Sequence, residues 1–176
     1  MTNNYEIHIA SIKTTLEMMV KLHAHNNPNS DSTNFPSELL SKGKGWSGSK
    51  RPNGLALLTP KQCFKNAQNL VVKDHSKGRA RYTYVEGYAC SGSLGFALPV
   101  HHGWVIDEDG FVIDQTWEEA ESSTYFGVPV ITTYLIKKVE KHGLFTSVFN
   151  NPKDRHSKNV FDLAISFDDP RSLFTP

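Results

Sequence analysis

The stretch His101–Thr116 reads H-H-G-W-V-I-D-E-D-G-F-V-I-D-Q-T, and its reading decides the class of fold. His102–Ile106 and Phe111–Thr116 are two runs rich in β-branched and aromatic residues, joined by Glu108-Asp109-Gly110. A D-G pair between apolar runs is a strong hairpin signal, because glycine takes the positive φ that a tight turn needs. Two antiparallel strands are expected, with His102 on the first and Asp114 on the second. Pairing of those strands sets Asp114 beside His102.

Working outward, Arg81–Cys90 reads as another strand, set off by the turn Ser76-Lys77-Gly78. Before that turn, Thr59 is placed to cap a helix with Pro60 at its first position, where the missing N–H costs nothing. The helix is expected from Pro60 to about Val72, with Cys63 in its first turn. Towards the C-terminus, Val128–Val139 reads as a further strand and Thr146–Asn150 as a short one, with residues 151–176 a weakly defined tail. At the other end, Ile9, Ile12, Leu16, Met19 and Val20 recur at helical spacing, which predicts an amphipathic helix over Tyr5–His25. Asn26–Gly54 is rich in Asn, Ser, Gly, Lys and Pro and reads mostly as loop, with one helical turn near Ser37–Leu40. A loop of this length is expected to act as a lid or substrate arm, and Phe35 and Trp46 argue that it docks. The order of helix, loop, helix and antiparallel strands is that of an α+β fold. The catalytic core is placed at about residues 59–140 of one domain.

Composition narrows the function. The chain has 176 residues and a formal net charge of +1, which gives no electrostatic footprint for a nucleic acid. No apolar run reaches the roughly 20 residues of a membrane span, and Met1–Ala10 lacks the pattern of a signal peptide. Cys63 and Cys90 form no C-x-x-C pair, and two cysteines in such a chain point to a reducing compartment. A soluble, cytoplasmic protein is expected, with no cofactor.

The reactive side chains fall in an order that suggests a triad. Cys63 at a helix start meets unpaired N–H groups and the positive end of the helix dipole, which favour a thiolate. His102 is placed to act as base and Asp114 to hold its tautomer. Taken singly, each has a plainer reading: a small buried thiol, a structural histidine, a turn-forming aspartate. Of the adjacent histidines, the spacing to Trp104 favours His102, and His101 then points to the other face. A metal site using both with Cys90 or Asp107 lacks the usual ligand spacing, so no metal is expected.

K-Q-C-F-K-N-A at Lys61–Ala67 resembles the nucleophile motif of the transglutaminase-like superfamily, in which Q-C and an aromatic open the helix. R-Y-T-Y-V-E-G-Y at Arg81–Tyr88 resembles the strand that family places between its Cys and His. H-G-W at His102–Trp104 is similar to its histidine motif, and G-F-V-I-D-Q-T at Gly110–Thr116 to its aspartate motif. The four occur in the family's order across Thr59–Trp117, although the glycine that often precedes Q-C is missing.

The resemblance implies a papain-like core, with the nucleophile helix packed on an antiparallel sheet. It also implies a Cys63–His102–Asp114 triad that forms a thioester from an amide-type bond of a protein, peptide or small amide. The outcome is either hydrolysis, as in a protease, amidase or deamidase, or transfer to an amine. Around this core, Gln62 with the Cys63 N–H is a candidate for the oxyanion and Glu86 for binding an amine. Trp104 is a candidate wall of the cleft. For Glu86 the plainer expectation is an exposed strand carboxylate and for Trp104 a core residue; Tyr125–Pro129 is a candidate lining of the cleft, with simple packing the plainer expectation. The alternative from another class is a catalytically inactive module that keeps the fold and holds a peptide in its cleft.

Overall fold

The computed structural model describes residues 4–28, 34–94, 96–142 and 145–149. The expected tail over 151–176 lies outside them, as does Asn150. The described elements are α1 (Asn4–Asn26), α2 (Phe35–Lys42), β1 (Lys44–Ser47), α3 (Cys63–His75), β2 (Tyr82–Cys90), β3 (Pro99–Asp107), β4 (Val112–Ile113), β5 (Thr124–Pro129) and α4 (Thr132–His142). The strands form one curled sheet in the order β1-β5-β2-β3-β4, and every pairing is antiparallel. The class is α+β, as the sequence reads. No described helix is long and apolar enough to cross a membrane.

The helices pack on one face of the sheet. Ala67 and Val71 of α3 and Leu135 of α4 meet Tyr84, Val105 and Ile113 in one cluster. Ile12 and Leu16 of α1 and Phe35 and Leu39 of α2 cover Tyr88, Phe126 and Val128 in a second. The curl turns the other face in on itself, where Trp46, Val85, Ala89, Trp104, Ile106, Val112 and Tyr125 pack together. That face closes because β5 carries Gly127, where any Cβ would run into the Trp104 ring. Alternation along β3 therefore sends His101, Gly103 and Val105 to the helices and His102, Trp104 and Ile106 to the aromatic interior.

Several expectations need correction. The stretch read as loop over 26–54 contains α2, which starts earlier than the expected turn. It is fixed by a capping box in which Asn34 and Ser37 exchange hydrogen bonds of 3.0 and 3.2 Å. The same stretch contains β1, four residues long with a glycine, whose partner Thr124–Gly127 is remote in sequence. The strand expected over Val128–Val139 is the end of β5 followed by α4. There the β-branched run mimics strand periodicity, while Ile131, Leu135 and Val139 follow the i, i+4 spacing of a helix, with Leu135 buried. Residues 145–149 form no strand; they run across the helical face, where Gln68 Nε2 holds the Thr146 carbonyl at 2.7 Å.

Candidate active site

Helix α3 starts at Cys63 rather than Pro60, with Gln62 rather than Thr59 in the N-cap position. The delay has a local cause. Lys61 lies in the left-handed region at φ 63°, which interrupts any helix begun at Pro60. The chain before it is tied instead to the end of the β3–β4 hairpin. Leu58 N–H donates to the Gln115 carbonyl at 2.6 Å, and buried Asn66 donates to the Thr59 carbonyl at 2.9 Å and to Thr116 Oγ1 at 3.0 Å. Cys63 is thus the first residue of the helix.

The hairpin then presents its partners. Asp107 N–H bonds to the Phe111 carbonyl at 3.1 Å, so odd-numbered residues of β3 turn their N–H groups towards β4. Strand β4 ends at Ile113, opposite Val105, and leaves the N–H of Gly103 without a strand partner. That N–H points to the Cys63 sulfur, as does the N–H of Phe64. Beyond Ile113 the chain turns inward because Asp114 Oδ1 accepts the N–H groups of Thr116 at 2.7 Å and Trp117 at 3.3 Å.

His102, Asp114 and Cys63 meet here. His102 Nε2 lies 2.8 Å from Asp114 Oδ2, and both side chains are buried. A carboxylate only accepts, so Nε2 carries the proton and Nδ1 is left for the thiol, with which His102 shares a hydrogen bond. Burial alone pushes the Cys63 thiol up; the hydrogen bond and charge of His102 and the two N–H groups outweigh it and bring it below its usual value. Burial alone lowers the His102 imidazole, but Asp114 and Cys63 raise it to about 9. Asp114 is held below the usual carboxylate range because His102, Thr116 and Tyr125 overcome its burial. The two shifts run in opposite senses, the thiol down and the imidazole up, which is the direction of a thiolate facing an imidazolium.

The other named residues sort by face. Gln62 is exposed and its side chain makes no cap hydrogen bond to the helix it precedes. Trp104 has 0% exposure, so it backs His102 from the core, with ring centroids 6.4 Å apart, and does not wall a cleft. Glu86 also has 0% exposure and is not the exposed strand carboxylate expected. It lies on the helical face and binds Tyr84 Oη at 2.8 Å, His101 Nε2 at 3.0 Å, Val148 N–H at 2.7 Å and the Ser147 hydroxyl. Those bonds, His101 first, hold its carboxyl below the usual range against the upward push of burial. Cys90 is buried away from any charge, and burial pushes its thiol up to about 11.

Three contributors have no signal in the sequence. Trp117 stacks on His102 at 4.2 Å and 24°. Tyr125 of β5 donates its hydroxyl to Asp114 Oδ2 at 3.0 Å. Arg51, from the loop after β1, donates to the carbonyls of Asp114 at 3.3 Å and Trp117 at 3.4 Å.

Gly103 sets how near the helix comes. A Cβ there would lie 2.9 Å from the Phe64 ring and 2.9 Å from the Tyr84 hydroxyl. Gly103→Ala is expected to destabilise the fold by about 1–3 kcal/mol and to displace Cys63 from His102. Urea unfolding and the Cys63 alkylation rate measure the two effects separately.

No known protein family, curated protein or solved structure matches the chain.

Proposed function

We propose that the chain is a cysteine-dependent acyl-transfer enzyme of the transglutaminase-like class, acting on an amide-type bond. The observation that carries this reading is the continuous chain from Cys63 through His102 to Asp114, in which the thiol is lowered and the imidazole raised. A binding module has no need of a lowered thiol. The positive φ of Lys61 adds support, since it falls in the position before Q-C where the family often has glycine, the residue best suited to that conformation.

In the proposed reaction the Cys63 thiolate attacks the amide carbonyl and forms a C–S bond. The carbonyl electrons move to oxygen, and the resulting oxyanion is received at the start of α3 by the Cys63 N–H and the Gln62 side chain. As the oxyanion collapses, the C–N bond breaks and the imidazolium of His102 gives its Nδ1 proton to the leaving amine. A thioester remains. Neutral His102 then takes a proton from water or from an acceptor amine, which attacks the thioester and releases Cys63 as thiolate. Water needs only access to the site, whereas transfer needs a dry second pocket for the amine, so we favour hydrolysis.

The test is a brief iodoacetamide pulse between pH 5 and 9, read by intact-protein mass spectrometry beside Cys63→Ala and His102→Ala. At pH 6 Cys63 is expected to react roughly 30–100 times faster than a free thiol, because little of an ordinary cysteine is ionised there. His102→Ala should abolish that advantage. Buried Cys90 should stay unlabelled and serve as an internal control. Labelling of Cys63 at the rate of a free thiol would remove the enzyme reading and favour the binding module.

A further inference from the structure

Asp114 Oδ2 receives two donors, the His102 imidazole at 2.8 Å and the Tyr125 hydroxyl at 3.0 Å. Its other oxygen already accepts the N–H groups of Thr116 and Trp117, and these fix the plane of the carboxylate. Tyr125 is therefore not needed to orient Asp114. Nor does packing explain its hydroxyl, since Tyr125 has 0% exposure among Trp46, Val85, Ala89, Trp104, Ile106 and Val112. A phenylalanine would fill that interior equally well, and a buried hydroxyl is retained at a desolvation cost. The phenol also keeps its proton throughout the range in which an imidazole titrates, because burial first and the Asp114 charge second hold it well above its ordinary value.

We infer that Tyr125 is a positioning residue for the triad: by sharing Oδ2 with His102, its hydroxyl limits how strongly Asp114 holds the imidazolium. The inference rests on the reading in which His102 serves Cys63. A carboxylate oxygen that donates part of its charge to a phenol has less to offer the imidazole. Too tight a hold would fix the proton on His102 and make it a poor acid towards the leaving amine. The hydroxyl thus keeps the pair ionised while leaving the proton transferable. The groups facing the pair are Cys63 on α3, Tyr125 on β5 and the Arg51 guanidinium on the loop. Glu86, His101 and Tyr84 lie on the opposite face of the sheet, and of these Tyr84 senses the Cys63 charge.

The experiment is an NMR titration of the His102 imidazole in the wild type, in Tyr125→Phe and in Tyr88→Phe, with the signal assigned by its loss in His102→Gln. Tyr88 supplies the control, because its hydroxyl meets Met19 Sδ at 3.3 Å on the helical face. Tyr125→Phe is expected to raise the proton affinity of His102 about threefold or more, and Tyr88→Phe to leave it unchanged. Should Tyr125→Phe not fold, 3-fluorotyrosine placed at position 125 is a stronger donor and should lower the affinity instead. A His102 midpoint that stays put in a folded position-125 variant would overturn the inference, because a purely structural hydroxyl would alter melting without moving the titration. Iodoacetamide rates on the wild type report separately on the proposed function, so ordinary Cys63 reactivity would remove that reading while the titration still decides the role of Tyr125.

Discussion

Asp114→Asn is expected to give a folded protein whose Cys63 behaves as an ordinary thiol. Oδ1 accepts two backbone N–H groups, from Thr116 and Trp117, so the asparagine must keep its carbonyl oxygen there. Its NH2 group then faces His102 Nε2, which has to become an acceptor. The imidazole proton is driven to Nδ1, the nitrogen that should receive the proton of the thiol. At the same time the burial of His102, which disfavours a charged ring, is no longer opposed by a carboxylate. Both effects remove the imidazolium. Alkylation of Cys63 at pH 6 should fall by that same margin of roughly 30–100-fold, and turnover of any amide substrate about 10⁴-fold, as for the loss of a triad carboxylate elsewhere. The Tyr125 hydroxyl can turn to accept from the new NH2, so the variant should fold, with melting lowered by the loss of the His102–Asp114 charge pair. Alkylation at the wild-type rate in this variant would show that Asp114 does not set the state of His102.

The sequence carried the parts of this site that depend on local geometry. His102 and Asp114 are 12 residues apart through a D-G turn, so the hairpin brings them near and the turn that Asp114 makes with Thr116 and Trp117 completes their meeting. Cys63 at a helix start was legible too, although the start was placed at Pro60 because nothing in T-P-K-Q-C announces a left-handed Lys61. Contributors that come from elsewhere in the chain were not legible. Tyr125 reaches Asp114 only because β5 pairs with β2 and the sheet curls, and no periodicity reports that adjacency. Glu86 misled for the same reason. Alternation marks a polar strand residue as exposed when one face of a sheet is wet, but both faces of β2 are covered here, by helices and by the aromatic interior. Strand β1 is too short to show alternation, and β-branched residues disguised α4.

Glu86→Leu is expected to be the most destabilising single change in the described core. It removes one buried carboxylate and strands four partners at once: the Tyr84 hydroxyl, the Val148 N–H, the Ser147 hydroxyl and the His101 ring. Removing one side of a buried charged network typically costs about 3–5 kcal/mol, which for a chain of this size lowers the melting temperature by roughly 6–20 °C. Glu86→Gln keeps the shape but turns an NH2 against two donors, for a loss of about 1–3 kcal/mol. The loss should depend on pH in a definite sense. The Glu86 carboxyl is depressed below its reference of 4.5, so its stabilisation is complete above that value and disappears as pH falls through the folded-state value. Asp114, depressed from 3.8, follows the same sense. His102 runs opposite: raised from 6.5 to about 9, it contributes fully below 6.5 and loses that contribution as pH rises through about 9. Wild-type stability should therefore be greatest between about pH 5 and 6.5. In urea titrations the gap between wild type and Glu86→Leu should be wider at pH 6 than at pH 3, because the contribution of the depressed carboxyl declines once pH falls below its reference value of 4.5. An equal gap at both would mean that the carboxyl stabilises the fold through its shape and packing rather than its charge.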